Sequence, residues 1–379
     1  MKAVIAGGGI GGLTTAIALE KLGHEVEVYE AAPEFKSVGA GLGLAANAVK
    51  AFDHLGLKDE VLAAGQLLPS AKLLTKKGAV ITRVDSLKIS AKYGVDNFAI
   101  HRADLHAVLL KNLKKTKLVT GKKAETCSEV ASGVEVKFTD GTSASGDFLI
   151  AADGIHSQIR KQFLPKSAPR YAGYTCWRAV VPQPKQPIEL PSETWGEGAR
   201  FGIVPLKDDR IYWFACLNAR QHDLSVRNFK KGNLLWHFDD FHAPVAELIQ
   251  SAAQEDIIWG DIIDLAPIDK FAFGKVLLVG DAGHATTPNL GQGACQAIED
   301  AAFLYSTLQG SGSIEEKFRR FETIRKPRTK KIVENSWRIG RVAQWEKPWA
   351  AGLRNKLFSM VPQSVQEKQL AFLYEVEFK

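Results

Sequence analysis

The apolar positions of this chain follow two rhythms. Unbroken runs at Lys2 to Ala6, Glu25 to Tyr29, Phe148 to Ala152 and Val276 to Val279 predict buried strands of a parallel sheet. Leu13 to Leu22, Asn47 to Leu55 and Asp104 to Leu113 read as helices; in the last, Leu105, Val108, Leu109 and Leu113 share one face. Lys72 to Val84 reads as a hairpin turning at Lys76-Lys77-Gly78. Short strands follow at Thr126 to Val130, Val134 to Phe138 and Ser143 to Ser145. From Tyr171 the texture becomes aromatic, with strands at Thr175 to Val181, Ser192 to Trp195, Arg200 to Val204 and Arg210 to Leu217. Helices near Leu234 to Phe241 and Val245 to Ala252 and a strand from Ile257 to Leu265 complete that block. A helix begins at Ala294, and after Leu308 the chain is helical, with Pro327 as an interruption. The pattern predicts an α/β (α+β) fold, a layered parallel-sheet domain carrying an inserted, mainly antiparallel sheet.

Composition narrows the class. The chain has 379 residues, 45% hydrophobic and 24% charged, as an ordinary folded protein with a sizeable core does. No apolar run is long enough to span a membrane, and the N-terminus shows no signal-peptide pattern. Cys127, Cys176, Cys216 and Cys295 are scattered, so the expectation is reduced thiols in a cytoplasm and no metal site. The net charge of +7 sits entirely in residues 313–379, with 15 Lys+Arg against 8 Asp+Glu. A solvated helical face accounts for it. The alternatives are attraction of an anionic substrate or nicotinamide phosphate, and loose contact with an acidic membrane surface. Nucleic-acid binding lacks both charge and motif.

Three motifs carry the chemistry. Gly7-Gly8-Gly9-Ile10-Gly11-Gly12 joins a strand to a helix, and Glu30 ends the next strand, the dinucleotide fingerprint in its proper context. Gly7 permits the tight turn, Gly9 lets a pyrophosphate approach, and Gly12 lets helix and sheet pack closely. Glu30 accepts from ribose hydroxyls and argues against a 2′-phosphate. A second glycine-rich loop, Gly39 to Gly43, and the hairpin after it interrupt the plain dehydrogenase pattern and favour FAD. Arg102, at a helix entry, is a candidate phosphate contact. Asp153-Gly154 leaves the Phe148 to Ala152 strand and opens the motif 153–160. In the third motif, 280–301, Asp281 stands at a strand exit, Pro288 stiffens a turn, and Gly291-Gln292-Gly293 precedes a helix N-terminus of bare N–H groups.

Together, GGGIGG with Glu30, DGIHSQIR and GDAGHATTPNLGQGACQAIEDA resemble the single-component, FAD-dependent aromatic hydroxylases (class A flavoprotein monooxygenases), over roughly residues 1–310. The resemblance implies a Rossmann-type FAD-binding domain made of residues 1–70, 99–170 and 266–310, a substrate-binding β-sheet domain of residues 71–98 and 171–265, and C-terminal helices from 311 to 379. It also implies roles. Gly7, Gly9, Gly12 and Glu30 bind the ADP half of FAD; Arg102 contacts the phosphates or ribityl region; Asp281 holds the ribityl chain. Gly291 shapes the loop, and Gly293 and Ala294 donate N–H groups to the pyrimidine edge. Asp153 and Gly154 serve FAD and a transient NADH or NADPH, and Lys36 stands where the family often carries an arginine for docking that cofactor.

The pattern around Arg170 to Tyr174 and Gly196 to Arg200 is most like the urate/salicylate hydroxylase branch. By that likeness Arg200 and Tyr212 meet a planar, anionic aromatic substrate, with Trp177, Trp213, Phe201 and Phe214 as candidate pocket walls and Pro288 nearest the reacting carbon. Their plain alternatives are a surface arginine and core packing. His284 is either a structural histidine beside the flavin loop or a base. The implied reaction reduces FAD with NAD(P)H, captures O2 as a flavin hydroperoxide and transfers one oxygen to an electron-rich ring. An epoxidase or hydroxylase of a larger natural product or quinolone, or an NAD(P)H-consuming reductase or oxidase, would share the FAD motifs. Monomer and homodimer both remain open.

Overall fold

The computed structural model describes the chain except at residues 36–39, 86–90, 92–93, 95–96, 363–364, 366–370 and 379. A six-stranded sheet runs in the order Ala272–Phe273, Val276–Leu278, Phe148–Ala151, Lys2–Ala6, Glu25–Tyr29, Lys117–Val119. All neighbours are parallel except the first pair. The apolar runs are continuous because both faces are covered. Ala3, Ile5, Val28, Ile150 and Leu277 pack under the helices Ile10–Lys21 and Gly293–Gln309. Val4, Ala6, Leu149 and Leu278 pack on the small sheet of Ala124–Val130, Gly133–Phe138 and Ser143–Gly146. In register, Ala6 stands beside Tyr29 and Ala151, and Ala151 beside Leu278, so these strands deliver their carboxyl ends to one edge. Ligands of open α/β sheets bind at that edge.

The second sheet has seven strands, ordered Ile258–Leu265, Pro169–Pro182, Arg210–Asn218, Ala199–Leu206, Ser192–Trp195, Ser70–Thr75, Val80–Asp85. The expected hairpin therefore joins the aromatic block as its edge. Side chains alternate across this sheet. Trp177, Phe201, Trp213 and Ala215 lie under the helices Lys231–His237 and Val245–Ser251. Their strand neighbours Cys176, Arg178, Arg200, Gly202, Tyr212 and Phe214 take the opposite face. That face meets the first lobe: a Cβ on Gly41 would stand 2.5 Å from the Tyr212 ring.

Two expectations are corrected. Within the second glycine-rich stretch, Gly41–Leu44 is a strand, paired antiparallel with Phe98–His101. Its glycine at 41 gives the Tyr212 ring its place. Pro327 does not interrupt the C-terminal helix, which runs unbroken from Ile314 to Ala343. A mid-helix proline costs about 3 kcal/mol. Here Phe318, Phe321, Ile332 and Val333 are buried along the same helix, and the side chains flanking the proline are tied into the first lobe.

Candidate active site

The first glycine turn is built by sterics. Gly7 has φ +104°, and a Cβ there would meet the Ala152 carbonyl oxygen at 2.3 Å. A Cβ on Gly12 would meet the Gly7 carbonyl oxygen at 1.9 Å. Gly9 differs: nothing lies within 4 Å of its Cβ position, so the space above it is open at the N-terminus of the Ile10–Lys21 helix. Glu30 closes the turn, accepting from the Gly8 N–H at 2.7 Å through one oxygen and from the Ala32 N–H at 2.8 Å through the other. Lys36 lies outside the described residues.

Asp153 and Gly154 leave the central sheet next to Gly7. One Asp153 oxygen accepts from the Gln158 N–H at 3.0 Å; the other is buried without a partner. Burial pushes this carboxyl upward in pKa. Arg160, at the end of the same motif, is buried and donates to the carbonyls of Ala282 (3.1 Å) and Ile155 (2.6 Å). It fastens the second motif to the third. Asp281 begins the short helix Asp281–His284 with its side chain exposed to the cleft between the motifs. The dense cleft walls raise its pKa, against the opposing pull of His284 and Arg102. Arg102 is itself exposed, so it and Asp281 offer opposite charges to one groove.

The third motif ends in a bare helix terminus. Pro288–Leu290 forms a single turn, Gly291 takes φ +62°, and the helix Gly293–Gln309 starts without a side-chain cap. The first backbone hydrogen bond of this helix is Gln296 N–H to Gln292 carbonyl, leaving the N–H groups of Gly293, Ala294 and Cys295 available. Tyr174 donates to Asn289 Oδ1 at 3.0 Å, and Asn289 donates to Thr287 Oγ1 and to the Ser336 carbonyl. The loop is thus pinned between the second sheet and the C-terminal helix.

His284 is set aside as a base. Its ring is buried, and Nε2 lies 2.6 Å from Asp300 Oδ2, which also accepts from the Gly280 N–H at 2.7 Å. A ring committed to a buried acid behind the loop does not reach a substrate proton. Behind it stands a charge cluster that sequence reasoning missed: Glu299, Asp300 and Arg325 are wholly buried, and Arg328 and Asn47 add hydrogen bonds to Glu299. The available signal was two adjacent acids inside an otherwise apolar helix. The basic C-terminal segment is accordingly not all solvated face.

The second sheet faces this loop with a chosen set of side chains. Arg200 is 3% exposed; Nε donates to Gln344 Oε1 at 2.8 Å and Nη1 to Glu193 Oε1 at 3.0 Å, and the guanidinium lies 5.0 Å from the Tyr174 ring centre. Its charge is already matched. Tyr212 and Phe214 share the side of the sheet that meets the first lobe, with ring centres 6.1 Å apart, and the Phe214 ring fills the space above Gly202. Trp177, Trp213 and Phe201 are not pocket walls, because strand alternation turns them into the helix-covered core. Arg178, which sequence reasoning passed over, stands on the Tyr212 side, half-buried. Attraction to the Cys176 sulfur holds its pKa above the usual arginine value, against the pull of burial. Among the described residues no carboxylate pairs with it.

The groups brought together here would suit one extended ligand: Glu30 for hydroxyls, the open Gly9 for a pyrophosphate, Asp281 and the free Asp153 oxygen for a polyol, and the N–H groups of Gly293 to Cys295 for a head with an acceptor-rich edge. Those are the parts of FAD. A family model described as FAD binding domain matches residues 1–336. The aurachin C monooxygenase/isomerase of Stigmatella aurantiaca is 38% identical over 362 residues, 95% of this chain and 94% of that protein. The 2-heptyl-3-hydroxy-4(1H)-quinolone synthase of Pseudomonas aeruginosa (strain UCBPP-PA14) is 33% identical over 374 residues, 97% of this chain and 96% of that protein. The crystal structure of Klebsiella pneumoniae HpxO with FAD and uric acid has a TM-score of 0.91 at 31% identity, covering 99% of this chain and 97% of that one.

Proposed function

From the premise that the chain belongs to the FAD-binding-domain family and is an FAD-dependent aromatic monooxygenase, we propose that it hydroxylates a neutral, fused-ring heteroaromatic of the 4-quinolone class. The observation that carries this reading is the contrast between two arginines. Arg200 is matched by Glu193, so it has no spare charge for a small anion. Arg178 stands on the Tyr212 side beside the Cys176 sulfur and has no carboxylate partner among the described residues, so it has a guanidinium to offer to a polarised carbonyl oxygen. A 4-quinolone presents such an oxygen next to the carbon that must become electron-rich. The name of the Pseudomonas aeruginosa relative adds support, since its product is a hydroxylated quinolone with an alkyl chain.

Bound FAD supplies the redox chemistry, taking a hydride from NADH or NADPH and activating O2 for transfer of one oxygen atom. The N–H groups at Gly293 to Cys295 favour negative charge at the flavin edge, a term of about 0.3–1 kcal/mol when exposed and up to ~2 when partly buried. Pro288 and Asn289, pinned through Tyr174, form the wall above the ring. Phe214 and Tyr212 exclude water from the other side. Burial pushes the Tyr212 phenol upward, so it stays a hydrogen-bond donor. Arg178 holds the substrate oxygen while charge moves onto it, and Arg200 positions Tyr174. We assign the domain boundaries to the chain crossings near residues 70 and 98, where the seven-stranded sheet adjoins the small sheet of Gly41–Leu44, Phe98–His101 and Gln66–Leu67, and near 170 and 266, where it adjoins the strands of the six-stranded sheet.

The test is stopped-flow flavin reduction by NADH and NADPH with 2-alkyl-4-quinolones, urate, salicylate or no addition, followed by product analysis in labelled O2. A quinolone is expected to accelerate reduction and gain one labelled oxygen. Arg178→Met is expected to weaken its binding roughly 10–100-fold, the loss of one charge-assisted hydrogen bond, with FAD content unchanged. Acceleration by urate or salicylate but not by quinolones, or full binding in Arg178→Met, would overturn the reading.

A further inference from the structure

The last long helix, Pro348–Met360, has two unlike faces. Its inner face is buried. Arg354 donates to the carbonyls of Ala343 (2.6 Å) and Gly196 (3.0 Å) and lies over Trp195, and Phe358 meets the same indole edge-on at 5.0 Å. Trp195 is the cross-strand partner of Arg200. The helix therefore closes the end of the sheet that carries the proposed substrate wall.

Its outer face is apolar and uncovered among the described residues. Trp349 is 70% exposed, Leu353 45%, Leu357 53% and Met360 67%. Spacings of four, four and three residues set these side chains in one stripe along the helix. Trp345, just before the helix, is also exposed. Large aligned apolar side chains on a soluble surface mark a docking face. Charge identifies the partner. Lys356 lies within the exposed face and Lys347 at its start, neither in an ion pair among the described residues. From Arg338 to Met360 the sequence holds five basic residues against the single acid Glu346. That acid is occupied by the Asn218 side chain.

We propose that this face docks on an anionic phospholipid surface, with the helix lying in the plane of the interface. Trp349, Leu353, Leu357 and Met360 enter the acyl boundary, and Lys347 and Lys356 extend to the lipid phosphates. Tryptophan suits that depth because its ring is apolar with one polar edge. A second copy of the chain would bring Lys347 and Lys356 against themselves with no acid on the face to meet them. Docking is separate from the chemistry proposed above, since binding is read without turnover. Its usefulness for collecting a membrane-dissolved substrate at the Trp195 end of the sheet rests on the quinolone reading.

The experiment is co-sedimentation of the full-length, FAD-loaded protein with phosphatidylcholine vesicles with and without phosphatidylglycerol, at low and high salt, read by flavin absorbance in the pellet. Salt-sensitive binding to the phosphatidylglycerol vesicles is expected. Lys347→Glu with Lys356→Glu should weaken it by about tenfold or more, since each juxtamembrane base contributes ~1 kcal/mol, roughly a factor of five. Trp349→Ser with Leu353→Ser should lower binding at both salt levels, while the melting temperature and flavin content of both variants stay at the parent values. No binding at low salt overturns the proposal. So does a concentration-dependent dimer, seen by light scattering, that the Trp349→Ser variant abolishes.

Discussion

Replacing Arg325 by methionine tests whether the buried charge cluster holds the flavin loop. Arg325 has no exposed surface. It donates through Nε to Asp300 Oδ1 at 2.7 Å, through Nη1 to Glu299 Oε2 at 2.5 Å, and through Nη2 to the Gln296 carbonyl at 3.1 Å and Oε1 at 2.7 Å. Removing one partner of a buried ion pair costs about 3–5 kcal/mol. Arg328 stays on Glu299 and His284 on Asp300, so the lower figure applies, about 3 kcal/mol. At roughly 2 °C per kcal/mol for a large domain, the melting temperature should fall by ~6 °C. Affinity for FAD should fall with it, because Asp300 also fixes the Gly280 N–H just before Asp281. Burial alone would raise both acids, yet Arg325 and Arg328 hold Glu299 below its ordinary pKa, and His284 and Arg325 do the same for Asp300. For depressed carboxylates the stabilisation is complete above the unfolded pKa, near 4, and drains away as pH falls through the folded value. The gap between parent and variant should therefore be full at neutral pH and narrow below about pH 4. Glu299→Gln with Arg325→Met should recover part of the loss, since it no longer strands a charge. Thermal melts followed by flavin release decide it. A melting temperature within about 1 °C of the parent at neutral pH would refute the argument.

Two glycines of the first motif should separate folding from binding. Gly12→Ala drives a Cβ into the Gly7 carbonyl and should destabilise the apoprotein by about 1–3 kcal/mol or more, measured by urea unfolding. Gly9→Ala meets no protein atom and has φ −74°, so apoprotein stability should hold while titration shows weakened FAD binding; intact affinity would remove the pyrophosphate from that position. Asp281, with its raised pKa, should lose its ionised, hydroxyl-accepting form at a higher pH than an ordinary aspartate, near 3.9. FAD affinity should therefore begin to fall while the pH is still above the ordinary aspartate range, and Asp281→Asn should flatten the profile; superimposable profiles would exclude the role.

What was legible in the sequence follows from how local its cause is. The first sheet could be read because burial on both faces leaves strands no polar alternation, and the glycine turn because Gly12 against Gly7 is a clash only glycine avoids. Pro327 misled because the local rule is right and incomplete. The lost N–H bond is real, but Arg325 and Arg328, on either side of the proline, anchor the helix to Glu299, far away in sequence. The substrate wall shows the same limit in another form. Alternation along Arg210–Asn218 correctly paired Tyr212 with Phe214, but it does not say which parity faces the flavin. That depends on what covers each side, and the helices Lys231–His237 and Val245–Ser251 cover the side of Trp177 and Trp213. Once parity is fixed, Arg178 and Arg200 both face the loop, and only their partners distinguish them. Glu193, seven residues before Arg200, matches its charge across the strand pair, whereas among the described residues no carboxylate pairs with Arg178, whose main electrostatic partner is the Cys176 sulfur. An arginine in a strand is thus informative about substrate charge only after its own counter-charge has been found.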